Sequence, residues 1–496
     1  MSAAPASAPT TASHLRRVLP FRTVISTSTG LAYAAISLLS CVQIAAFLAG
    51  DSAWIALLIA GALALLAALC FSELNALYPT AAAIRQYITA AFNEGTSLTV
   101  TFGYVLTVVA VIAADSYVVG RAISFVFPDT PVLLWIFLIL GLAAAANLLG
   151  IKIAGILQDF TTFALLISLA AISIIALAHG GFQLHTPFAA LHQPGNLFNA
   201  VAVGVFTFSA FEWVTPLSEE INDTTQIPRG MFISLGLLFV SYALFTVAAT
   251  NLLGINTLCT HIGADDQLCS AVPQMLLGQR ALGQLGVLWM LAATLFTGVM
   301  TFNGGFATAS RFLYAAAREA TLPPIFASLS DRLVPWFTVI ALAASSAAVA
   351  VLVAYSNAYY TLILVGAVLE GLIYTVAGLC VIRLRRRQPD AARSFRIPLG
   401  WTVPIVAIVI FGALAISAAL GVSPSGAIYP LPLGVTLVIF VLAFLYVRLA
   451  VPSLKTAAEA KRRARPSRRP PRPTAAAAAA AAADVTPTST TDSQSS

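Results

Sequence analysis

Charge is what this sequence has least of. Charged residues make up 9% of it and apolar residues 59%, whereas a water-soluble domain carries about 25% charged residues to cover its surface. A solvent-exposed globular fold is thereby excluded. Cysteine is scarce too: the five are scattered, too few for a metal cluster or a disulfide scaffold. No basic patch is interleaved with aromatics, so nucleic acid is not an expected partner. Paired acids of the isoprenoid-diphosphate kind, metal-spaced histidines and a Gly-x-Ser-x-Gly element are also missing. These gaps argue against a membrane-embedded enzyme, and neither a metal nor a cofactor is expected. The stretch from Met1 to Thr11 is small and polar without an apolar centre, so no cleaved signal peptide is expected there.

What is abundant is long apolar runs. Mean hydropathy is +0.90, and runs of about 20 residues, each long enough to cross a bilayer, recur through most of the chain. Twelve spans are predicted, near 24–49, 52–77, 97–125, 131–150, 155–178, 197–217, 230–254, 283–309, 334–354, 358–383, 401–421 and 429–450. Pro79 to Glu94 is semi-polar and too short to span, which predicts an interfacial helix; a second such stretch, Arg311 to Leu329, follows the eighth span. With the N-terminus inside, the loops place all but two of the 26 Lys and Arg in the cytoplasm, leaving Arg121 and Arg280 outside. The expectation is an all-α polytopic protein of the cell (plasma or inner) membrane, with about twelve transmembrane helices and both termini cytoplasmic. Residues 1–22 form a cytoplasmic segment and 23–452 the membrane domain. Residues 453–496, Arg/Pro-rich, then Ala475 to Ala483, then Thr/Ser-rich, form a disordered tail whose basic part can rest on anionic lipid. The outer loops carry His179, His185 and His192, and a polar loop from Asn256 to Gln274 carries Cys259 and Cys269. In an oxidising compartment these two cysteines can close a disulfide; the alternative is two free thiols.

Lipid tolerates irregular backbone at membrane depth only around a cavity. Span one, from Ser26 to Cys41, and span six, from Gly204 to Pro216, are richer in hydroxyls than their neighbours, and span six adds an acid and a proline. Each opens a five-helix half, where broken helices point to a transporter's site. Helix–helix packing is the competing reason for their small residues. Three carboxylates lie within spans, Asp115, Glu212 and Glu370, with Glu73 near the inner end of span two. Ionisable groups in a membrane tend to mark pathways. A carboxyl that takes up and releases a proton suits a proton-coupled carrier, and a carboxylate also suits a cationic substrate amine. A structural hydrogen bond is the alternative for each. Asp115 and Arg121 stand about 240° apart around a helix, so they are not a natural pair.

Four segments carry a resemblance. Phe206-Thr207-Phe208-Ser209-Ala210-Phe211-Glu212, running through Ser218-Glu219-Glu220-Ile221-Asn222-Asp223 to Ile227-Pro228-Arg229, resembles the sixth-helix signature of amino acid permeases of the amino acid–polyamine–organocation (APC) superfamily. Ala309-Ser310-Arg311-Phe312-Leu313-Tyr314, on to Leu322-Pro323 and Pro335-Trp336, is similar to the eighth helix and its following loop. Arg383 to Pro389 with Phe395-Arg396-Ile397-Pro398 is similar to the loop after helix ten, and Ser72-Glu73-Leu74-Asn75 with Tyr78-Pro79 to the end of helix two.

The resemblance implies a 5+5 inverted repeat (APC/LeuT-like fold), with repeats at about 24–178 and 197–383 and two C-terminal helices at about 401–450. It implies a substrate at broken helices one and six, its carboxylate facing backbone amides. Phe206, Phe208, Ser209 and Ala210 fall on lining positions of helix six. Glu212 matches a glutamate tied to proton sensing in some members, and Asp115 and Glu370 join it as coupling or gating candidates. This sequence departs from the pattern at helix one, where Ala34, Ala35 and Ile36 stand in place of two glycines. Ser37 or Ser40 is the expected substitute for holding the substrate carboxylate. Ala82 and Ala83 replace paired glycines after helix two, and Phe163-Ala164-Leu165 lacks the lysine that some members place in a cation site. A sodium site involving Thr308 stays open. The expected function is secondary active transport of an amino acid, proton-coupled or exchanging, with H+ the driving ion. The alternatives are a polyamine or organic-amine carrier or antiporter, and a non-transporting amino acid sensor.

Overall fold

The computed structural model describes residues 17–48, 52–181, 183, 194–262, 266–356, 359–422 and 428–464. His185, His192 and the stretch from Ala475 to Ala483 lie outside the described residues.

Span one is two helices, α1 (Phe21–Ala32) and α2 (Ala35–Phe47), bent by 53° at Tyr33-Ala34. Then come α3 (Ala53–Leu77), the short α4 (Ala83–Ala91), α5 (Glu94–Val126), α6 (Val132–Leu148) and α7 (Ile151–Gly180). The second half opens with α8 (Pro194–Phe208) and a 3-10 helix (Phe211–Leu217), followed by α9 (Ile227–Leu253), α10 (Pro273–Arg318), α11 (Trp336–Ser356) and α12 (Tyr359–Arg387). Last are α13 (Thr402–Leu420) and α14 (Leu431–Ala464). Among the described residues, ten segments are long and apolar enough to cross a membrane, the bent pair makes one more, and the 17-residue α6 is a shorter apolar helix. At about 1.5 Å per residue, α6 nearly matches a bilayer core. Together they are the twelve expected spans.

The two halves repeat one plan. Each begins with a broken span, and each inserts a short helix between its second and third spans. In the first half that helix is α4; in the second it is the start of α10, which turns at Gly283 (φ +60°, ψ −138°). The left-handed φ favours glycine there. The fold-back also brings Gly286 so close that a Cβ on it would meet the Gly278 carbonyl oxygen at 1.9 Å. α1 packs on α9 and on the 3-10 helix, and α2 packs on α8, so the two broken spans lie against each other. All of α2 is buried. Leu142, Ile167, Leu352, Val409 and Val438, on outer helices, are exposed, as lipid-facing side chains must be.

Two expectations are corrected. Arg311 to Arg318 does not begin an interfacial helix but continues α10; only the 3-10 turn Pro324–Ala327 lies beyond it. The last helix runs past 450 to Ala464, into the expected tail. The all-α expectation holds: among the described residues the exception is a loop hairpin of β1 (Cys259–Ile262) and β2 (Asp266–Cys269), where Cys259 stands opposite Cys269 and the two form the expected disulfide.

The segments that carry the family resemblance meet at the arginine-rich end of the bundle. Arg385 grips both oxygens of Glu73 at 2.8 and 2.5 Å, and the Ile397 amide donates to the same carboxylate. Tyr78 donates to Gln388 at 2.9 Å. Arg311 pairs with Glu220 at 3.0 Å, both fully buried, while Arg318 faces Glu219 at 3.8 Å. The main chain of Val18 and Leu19 donates to the Glu220 carbonyl. These latches tie α3 to α12 and the span-six loop to α10. Glu73 therefore acts as a structural anchor. Removing one partner of a buried ion pair typically costs about 3–5 kcal/mol, because the other charge is stranded. Arg385→Ala should lower the thermal unfolding temperature in detergent, and adding Glu73→Ala should recover part of the loss; strictly additive losses would show that the two residues do not act as a pair.

Candidate functional site

The span-one break forms without glycine. Tyr33 (φ −88°, ψ 47°) and Ala34 (φ −74°, ψ 155°) leave the helical region through angles open to any residue. A helix that ends leaves carbonyls, and one that starts leaves amides, without intrahelical partners. Here the protein supplies both. The Ala32 carbonyl accepts from Tyr242 of α9 at 2.7 Å and from Ser37 at 2.9 Å. The Ile36 amide, at the positive end of α2, donates to Asp115 Oδ1 at 2.9 Å. Asp115 is fully buried, and its other oxygen has no hydrogen-bond partner, although the Thr301 hydroxyl faces the carboxyl from α10.

Ser37 and Ser40, expected to replace the missing glycines, turn to their own backbone: Ser40 donates to the Ile36 carbonyl at 3.1 Å. The group at the open amide is Asp115, which comes from another helix. Residue order gave no sign of that contact.

Span six breaks at Ser209-Ala210. Ala210 sits in the left-handed region (φ 73°, ψ 1°), and a tight 3-10 helix with Pro216 inside it follows. Ser209 donates to the Phe206 carbonyl at 2.7 Å. Phe206 lies over Gly366 of α12, where a Cβ would come within 2.6 Å of its ring. Phe208, two residues on and so on another side of the helix, packs on Tyr242 and Gly61. The structure thus separates these two expected lining residues: Phe206 faces α12, Phe208 the α3–α9 wall.

Glu212 is fully buried and accepts from Tyr104 of α5 and Tyr374 of α12, both at 3.0 Å, one on each oxygen. Tyr104 stacks on Trp213 with centroids 4.0 Å apart, and Tyr374 packs on Phe71, Phe211 and Phe411. Glu370, also fully buried, has no hydrogen-bond partner on either oxygen and interacts electrostatically with Glu212. Two of the three expected acids therefore come together beside the span-six break, and the third, Asp115, stands at the span-one break.

Mid-span tyrosines were the signal that sequence reading passed over. Tyr104, Tyr242 and Tyr374 each place a hydroxyl where lipid offers no partner, and Tyr374 follows Glu370 by one helical turn. The residue of α7 that reaches between α1 and α10 was missed too. It is Gln158, whose amide packs beside Gly30 and Gly304, rather than Phe163, Ala164 or Leu165. Gln158 donates to the Ser26 carbonyl at 3.3 Å and accepts from Asn303 at 3.1 Å; Asn303 also meets Asn147 at 2.9 Å. This bridge is neutral. Thr308, a candidate sodium ligand, donates to the Gly304 carbonyl of its own helix at 2.9 Å.

At the end of the bundle opposite the latches, a cavity of about 1010 Å³ lies against the Cys259–Cys269 disulfide, lined by Tyr117, Arg121 and Tyr359 among others. Arg121 follows Asp115 on α5 by about 9 Å of helix rise.

This arrangement has relatives. Asc-type amino acid transporter 1 of Homo sapiens is 26% identical over 376 residues, covering 72% of this chain and 68% of that protein. Large neutral amino acids transporter small subunit 2 of Rattus norvegicus is 26% identical over 380 residues, with 72% and 68% covered. A solved structure of a Na+-coupled sialic acid symporter, substrate-bound and outward-open, superposes with a TM-score of 0.54 over 82% of this chain and 90% of its own, at 13% identity. That likeness establishes the fold as a five-plus-five inverted repeat. The family model described as Amino acid permease matches residues 20–450, from the first broken span to the last helix, and the chain belongs to that family.

Proposed function

We propose that the protein is a secondary active transporter that carries an amino acid across the cytoplasmic membrane, driven by protons or by exchange. The observation that supports this most is the side-by-side packing of two broken spans, α1–α2 and α8 with its 3-10 extension. Broken helices in matching places of two halves are where such transporters bind their cargo. The names of the relatives put amino acids first among substrates. In this reading, Ile36 faces the substrate's carboxylate, while Phe206, Ser209 and Ala210 face the rest of it. The buried carboxyls serve as the proton-binding groups, and the tyrosine-held Glu212 fixes span six against α5 and α12.

The arginine-rich, latched end is the cytoplasmic one, by the excess of positive charge, which puts both termini inside. The cavity at Arg121 then opens outward, and its guanidinium meets a substrate by the carboxylate end. One feature favours an organic-amine carrier instead: Glu370, a buried carboxyl without a partner, is suited to an ammonium.

Uptake of labelled amino acids and polyamines into proteoliposomes tests the proposal. The expected result is accumulation of one or more amino acids that follows an inward proton gradient. Glu212→Gln should lower that uptake by roughly tenfold or more, since the amide keeps one acceptor where two charge-assisted bonds stood. Uptake confined to polyamines would make the protein an amine carrier. Exchange that ignores the gradient would remove protons from the mechanism, and no uptake of any compound would contradict transport.

A further inference from the structure

We infer that Asp115 is an internal competitor for the substrate's carboxylate, and that its release from the Ile36 amide couples one proton to each amino acid bound. This rests on the reading that the substrate sits at the two breaks.

The start of α2, inside the bundle, leaves first-turn amides without intrahelical partners. Asp115 already holds the Ile36 amide there at 2.9 Å, and the Ala35 amide faces the same carboxyl. A substrate carboxylate drawn to the same helix end meets an anion in place. Two carboxylates sharing a site do not both stay ionised. If Asp115 accepts a proton, its hold on the amide weakens and the substrate's carboxylate can take the N–H. An O–H bond forms on Asp115 with a proton from the side of entry, the Ile36–Asp115 hydrogen bond breaks, and one from Ile36 to the substrate forms. Release reverses each step. The site begins at one negative charge and ends neutral around a zwitterion, so one positive charge moves with each amino acid.

The surroundings leave Asp115 free to act in this way. Tyr242 from α9 is the titratable side chain that faces it, and its hydroxyl is engaged by Ala32. From α10 it meets Thr301, and from the break only main chain. α6 carries no titratable side chain, and Tyr355 of α11 is exposed. The α12 residues are spoken for elsewhere: Tyr359 stacks on Tyr117, and Glu370 is set against Glu212. α4 and α14 meet α5 toward its Glu94 end, where Arg85, Tyr446 and Lys455 lie beside Ser97, Phe102 and Glu94, about 20 to 30 Å of helix from Asp115. Arg121 stands in the outer cavity. Among the described residues, no cation pairs with Asp115.

Binding measured by calorimetry on the full chain in detergent, in buffers of different ionisation enthalpy, tests the inference, with an amino acid that the uptake panel identifies. Wild type should take up one proton per amino acid bound, and above the titration of Asp115 its affinity should weaken about tenfold per pH unit, since only the protonated fraction is competent. Asp115→Asn should bind without proton uptake and with affinity flat in pH. A decarboxylated analogue, having no carboxylate to displace Asp115, should bind wild type without proton uptake. Proton uptake that persists in Asp115→Asn would place the coupling on Glu212 or Glu370 and overturn the inference. So would wild-type binding with no proton uptake, which needs no variant to fold. A wild type that binds no amino acid at all fails the transport reading itself.

Discussion

A helix that breaks inside a bilayer must find partners for the amides and carbonyls it frees, because lipid offers none. The centre of this protein follows from that constraint. Tyr242 and Ser37 take the carbonyl end of the span-one break, and Asp115 takes the amide end. In span six, the left-handed Ala210 and a 3-10 helix redirect the chain, and Glu212 just beyond it is held by Tyr104 and Tyr374. The partners come from α5, α9 and α12, so satisfying two breaks fixes three further helices around them. In the proposed transport reading, Asp115 is the group that a substrate carboxylate displaces.

A second layer sits at the arginine-rich end. The Glu73–Arg385 and Glu220–Arg311 pairs join segments far apart in sequence, and the main chain of Leu19 pairs with that of Ile221. The segments that carry the family resemblance thus lie at the latches as much as at the span-six break.

The spans were legible because burial in lipid leaves a plain mark: about 20 apolar residues at a time. The repeat was legible from the position of the two hydroxyl-rich spans. Partners across helices were not. Nothing in the order of residues says that Asp115 meets Ile36, or that Tyr104 and Tyr374 share Glu212, because those contacts depend on how helices rotate and tilt against each other. Reading α7 for a lysine-like position went to 163–165, whereas the helix turns Gln158 inward. The break needs none of the missing glycines, because Tyr33 and Ala34 make the bend with ordinary angles. The latched ends were readable as motifs but not as ion pairs.

In the proposed mode of binding, cargo sits between the two breaks and takes over main-chain groups that the protein otherwise satisfies itself. A cryo-electron microscopy structure of the protein in nanodiscs with a transported amino acid bound tests this most directly. The expected result is ligand density between Ile36 and Ser209-Ala210, with the ligand carboxylate about 3 Å from the Ile36 amide and Asp115 turned away from it. Density confined to the outer cavity beside Arg121, with Asp115 still bonded to Ile36, would contradict it.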